Sequence, residues 1–176
     1  MRLSSLVRCG ALAVIVAAGA SCGDVVRSGD SPLMLSVVSI VPSVVNLNVN
    51  AATNDLGTAT LAANMKDVLV APTPNNDVTI AQYRVQYRRT DGRNTPGVDV
   101  PFPFDGRGTA TVVANGSGVM TFELVRQVAK KEQPLAQITG SNVVSMIAEV
   151  TFFGHDQVGN DLSATGSALI NFRAGN

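Results

Sequence analysis

Residues 148–173 read AEVTFFGHDQVGNDLSATGSALINFR. Ala148, Val150 and Phe152 are apolar while Glu149 and Thr151 lie between them, the period of a strand with one face buried. The segment 154–161, GHDQVGND, is dense in turn formers. Beyond it Leu162, Ala164, Gly166, Ala168, Ile170 and Phe172 alternate with Ser163, Thr165, Ser167, Asn171 and Arg173, and only Leu169 breaks the alternation. The stretch predicts a long antiparallel hairpin closing the chain, with one face in a core and the other in water.

The same alternation recurs upstream. Thr109 to Ala114 and Val119 to Ala129 flank Asn115-Gly116-Ser117-Gly118, and an Asn-Gly pair between β-rich runs predicts a second hairpin, with Met120, Phe122 and Leu124 facing inward. The far end of that strand, Val128 to Leu135, contains Lys130-Lys131-Glu132-Gln133-Pro134 and is expected to yield to a turn, with one helical turn from Pro134 to Gln137. In 78–89, VTIAQYRVQYRR, the apolar positions change parity between Ile80 and Tyr83, which predicts a bulge near Ala81-Gln82. Leu61 to Val70 reads as a further strand. Prolines at 101 and 103 predict an edge strand or extended loop from Val98 to Phe104, with Val98, Val100, Phe102 and Phe104 on one face against the core. Short β-rich runs separated by Gly, Asn, Asp and Pro define an all-β fold, a single antiparallel β-sandwich of about seven to nine strands over residues 33–176.

Ile80 to Tyr87, alternating aromatic and aliphatic residues, resembles the third strand of a fibronectin type III or immunoglobulin-like domain. Ala148 to Ser163 resembles the final hairpin of bacterial immunoglobulin-like modules. Tyr83 to Gly106 and Val150 to Asn160 are similar to a group of uncharacterised bacterial exported proteins. The resemblance implies an Ig-like sandwich and carries no activity. The chain has no tryptophan for the central core position, and Ala148 stands where the corner tyrosine of such domains would fall.

The first 21 residues have the form of a secretory signal: Arg2 and Arg8, an apolar run from Ala11 to Ala20, then small residues. Gly19-Ala20-Ser21-Cys22 forms a lipobox with glycine at the usual aliphatic position, while Ala18-Gly19-Ala20 fits ordinary cleavage after Ala20. Of the two cysteines, Cys9 leaves with the signal and Cys22 stands at the cut, so a lipid thioether gives the remaining thiol a purpose. Cleavage before Cys22 leaves 176 − 21 = 155 residues, with 22–32 as a polar, lipid-anchored tether. Gly23 in place of aspartate favours the outer membrane. Loss of two arginines takes 13 basic residues to 11 against 13 acidic ones, a net charge of −2, which argues against nucleic acid as a partner.

Few residues invite chemistry. His155 is the single histidine, expected in a solvated turn beside Asp156; strand neighbours point to opposite faces, which disfavours a catalytic dyad. Asp156, Asn160 and Asp161 place three oxygen ligands in one loop, a candidate Ca²⁺ site, although such residues also build hairpin turns. Tyr83 and Tyr87 are expected in the core, so neither offers a platform for a sugar. Arg84, Arg88, Arg89 and Arg93, with Asn94, form the most distinctive surface, either a patch for an anionic envelope polymer or protein, or an arginine-decorated solvent face. The expectation is a non-enzymatic envelope lipoprotein with no cofactor, attached to the membrane through Cys22 and presenting a binding or structural surface. The alternatives are a secreted subunit of a pilus, sheath or matrix, and a calcium-dependent ligand-binding module.

Overall fold

The computed structural model describes residues 30–175; the signal segment and Cys22 lie outside them. Within this range the chain forms eight strands: β1 (Leu33–Val41), β2 (Val44–Asn48), β3 (Asp55–Met65), β4 (Val78–Arg89), β5 (Phe104–Val112), β6 (Gly116–Val125), β7 (Val143–Asp156) and β8 (Asp161–Arg173). They pair into a three-stranded sheet, β1-β3-β6, and a five-stranded sheet, β2-β8-β7-β4-β5. All ladders are antiparallel except β2 with β8. The result is the expected β-sandwich.

The closing hairpin forms with continuous register from Val143↔Arg173 to His155↔Asp161. Its turn is shorter than the sequence implies: Gly154, His155 and Asp156 continue β7, and only residues 157–160 reverse the chain, with Gly159 at φ 93°. Residues 154–156 stay extended because β4 supplies partners as far as Asp156, at Val78. In β4 the register slips between Ile80 and Gln82 against both neighbours, the bulge expected from the change of parity. It lets Val78, Ile80, Tyr83, Val85 and Tyr87 all face inward.

Several expected boundaries move. β3 begins at Asp55 and ends at Met65, so Val68 to Val70 are loop, where the sequence reading had strand. Val68 and Val70 are β-branched and favour strands, but no strand pairs with this segment. β6 starts at Gly116 because Asn115, at φ 54°, alone takes the left-handed turn position, and β6 ends at Val125 where a four-residue helix, α1 (Gln127–Lys130), takes over. A 3₁₀ turn over Leu135–Gln137 stands where a single helical turn was expected. Between β4 and β5 the segment 98–103 is loop. Val100 and Phe104 are buried, but Val98 and Phe102 are 63% and 55% exposed, which corrects the expectation of four residues on one inward face.

The central position is filled by interlocking rings instead of tryptophan. Phe122 reaches across from β6 to meet Tyr83 at 5.6 Å and Phe152 at 5.4 Å, both near edge-to-face. Gly106 on β5 leaves room for the Tyr83 ring, and Gly166 on β8 lies against Val37 and Ile40 of β1, so the two sheets close on each other along that side.

Candidate functional site

The four arginines are not gathered into one cationic surface. Strand parity places Arg84 and Arg88 on the outer face of the five-stranded sheet, while Arg89 lies at the end of β4 and Arg93 in the loop beyond. Each has an acidic neighbour. Arg84 lies 3.5 Å from Asp105, Arg88 pairs with Glu149 across the ladder, and Arg89 and Arg93 both hold Asp91, at 2.7 and 2.8 Å. The Arg93 hydrogen bond is the main cause that draws the Asp91 carboxyl down to about 2. Asn94 accepts from the Arg89 amide and donates to the Gly92 carbonyl, closing the turn. Three carboxylates offset most of the charge of the four guanidinium groups, and exposed pairs of this kind are individually weak.

Asp156 has no exposed surface. One oxygen accepts the amides of Val158 and Asn160, at 3.0 and 2.9 Å; the other accepts the Asn160 side-chain amide at 2.8 Å and the Ser31 hydroxyl at 3.1 Å. Burial raises its pKa, but the donors outweigh burial and hold it below the usual carboxylate value. Asp161 is exposed, opposite His155 in the ladder, and outside this ring of donors. The three candidate Ca²⁺ ligands therefore divide between an inward and an outward face. Among the described residues no group of three or more His, Cys, Asp or Glu side chains could hold a metal ion. His155 is exposed and Asp156 buried, so the neighbours do point apart, although on a strand and not in a turn.

Both tyrosines lie in the core and cross it. The Tyr87 hydroxyl donates to the Leu124 carbonyl at 2.8 Å, and the Tyr83 hydroxyl accepts from the Glu123 amide at 3.0 Å. Burial raises the pKa of both.

Two of the surface concavities among the described residues involve the candidate residues. One, of about 440 Å³, is on the outer sheet face around Gln82, Arg84, Asp105, Phe153, Asp161 and Ser163. Phe153 is 38% exposed there on a central strand, and sequence reasoning missed it because its parity is that of a solvent position. The other, of about 410 Å³, lies at the end of the sandwich bearing Arg89, Arg93, Val98 and Asp99, with Ile138 and Met146 also lining it. Nearby, buried Lys130 reaches Asp55 at 2.6 Å and the Thr53 carbonyl at 2.9 Å, and the Arg126 guanidinium sits 4.2 Å above the Phe104 ring. No protein-family model and no curated protein sequence matches the chain.

Proposed function

We propose that the chain is an exported, non-enzymatic envelope protein, anchored through lipid on Cys22, whose sandwich holds a binding surface away from the membrane. The observation that carries this reading is where the chain joins the domain. Ser31 is buried and bonded to Asp156, and Pro32 accepts the Lys66 amide at 2.8 Å, so the tether meets the sandwich at the end holding the β7–β8 turn. The Arg89–Phe102 loop, α1 and the 410 Å³ concavity belong to the opposite end. Loops on a rigid sandwich are the usual seat of recognition. The strand order β1-β3-β6 against β2-β8-β7-β4-β5, with the first segment switching sheets to run parallel to the last strand, supports an immunoglobulin- or fibronectin-like reading of the fold.

Mass spectrometry of the mature N-terminus from the native host, with membrane fractionation of wild type and Cys22→Ser, tests the anchor. A diacylglyceryl mass on Cys22, and loss of the variant from the membrane fraction, is expected. A chain starting at unmodified Ser21 would replace the anchored protein with a secreted one.

A further inference from the structure

The end at which the chain joins the sandwich also carries its most exposed aliphatic residues. Val68 and Leu69, in the loop between β3 and β4, are 88% and 91% exposed, and Val70 follows at 48%. Val113 in the β5–β6 turn and Val158 in the β7–β8 turn are each 54% exposed. These connections are tied together: Ala114 donates to Asp77 at 3.0 Å, and Gln157 donates to the Asn75 carbonyl at 3.2 Å. The loop tip is internally bonded as well. Asp67 accepts the Leu69 amide on its side chain at 2.9 Å and the Val70 amide on its carbonyl at 3.2 Å. Two amides of the tip thus have partners inside the loop, which lowers the cost of placing it where water is scarce.

We infer that Val68, Leu69 and Val70 form a membrane-interface contact, a second attachment beside the lipid. The inference rests on the anchored reading, and tether length selects the surface involved. Cys22 and Asp30 are eight residue steps apart (30 − 22), a reach of no more than about 28 Å fully extended. β7 has 14 residues and so spans about 46 Å, so the tether is too short to stand the opposite end on the bilayer. An acyl anchor supplemented by a protein-borne apolar contact holds one orientation, which a single flexible attachment does not.

The test uses the full chain, processed and lipidated, in vesicles of phosphatidylethanolamine and phosphatidylglycerol. Leu69→Cys and Ser141→Cys each introduce one reactive thiol for an environment-sensitive fluorophore, since Cys22 is blocked by lipid. Ser141 is exposed and belongs to the opposite end. The expected result is a blue-shifted emission at position 69, quenched by nitroxide on the lipid acyl chains and lost in Val68→Asp, with neither shift nor quenching at 141. A water-like signal at 69 with the lipid mass intact overturns the contact and leaves the anchor standing. Absence of the lipid mass overturns the anchor, and the contact with it.

Discussion

Replacement of Asp156 by alanine removes an acceptor that joins three parts of the chain: Ser31, the β7–β8 turn, and β7 itself. Hydrogen bonds to a charged acceptor contribute about 1.5–3 kcal/mol each, but four such values do not add. Val158 is exposed and Asn160 half-buried, so water can satisfy their amides once the carboxylate is gone, whereas Ser31 is 5% exposed and loses its partner in a dry site. The carboxylate also no longer bears its own desolvation. A net loss of about 3 kcal/mol follows, equivalent to a fall in Tm of about 10 °C for a domain of this size. Thermal or urea denaturation of Asp156→Ala beside Asp161→Ala measures it, the exposed Asp161 change staying within about 0.5 kcal/mol. The pH dependence carries a second signature. The folded-state pKa of Asp156 is depressed, so the unfolded chain binds the proton more readily, and its stabilisation is present above the ordinary carboxylate pKa and lost as pH falls through the folded value. Asp156→Asn should flatten that part of the acid limb. Equal, small losses in Asp156→Ala and Asp161→Ala would refute the assignment of Asp156 as the clasp on the N-terminal segment.

Other substitutions test the packing. Tyr87→Phe strands the Leu124 carbonyl and should cost about 1–1.5 kcal/mol in denaturant titration. Lys130→Met leaves the Asp55 carboxylate without its cation and should cost about 3–5 kcal/mol, most of it recovered in Asp55→Leu/Lys130→Met, so the double-mutant cycle reads a large coupling. Gly166→Val drives a side chain into Val37 and Ile40, whose nearest atoms are already 2.6 and 3.0 Å from an added Cβ, and should cost about 1–3 kcal/mol by calorimetry.

Much of the sandwich was legible because its strands are half-buried, and parity of apolar residues records which side faces in. The change of parity at Ala81 gave the bulge, and the alternation after Leu162 gave β8. Parity fails where pairing ends. Val68 to Val70 carry strand-favouring side chains with no neighbouring strand, and Phe102 alternates correctly in a segment that no ladder holds. The candidate site was less legible for a related reason. Four arginines within ten residues are visible in sequence, but Asp105 and Glu149, which pair with two of them, arrive from other strands. Ser31 and Asp156 are 125 residues apart, and although Asp156 shares the inward parity of Ala148, Val150 and Phe152, it is polar and lies among turn formers.

The direction of β1 bears on how the domain would carry load. β1 starts beside the Ser31 clasp and runs away from it along β3, with pairs from Leu33↔Met65 to Val41↔Thr58. Its ladder bonds lie across the strand axis. Tension applied at Ser31 and opposed at the far end therefore acts in shear, loading the whole row at once instead of peeling it pair by pair. Beyond β1 the chain crosses to the other sheet, where β2 lies parallel to β8 and meets the same pull lengthwise. If the domain is anchored through its first strand as proposed, it would resist extraction along the strand axis, the direction in which a partner bound at the far loops would pull.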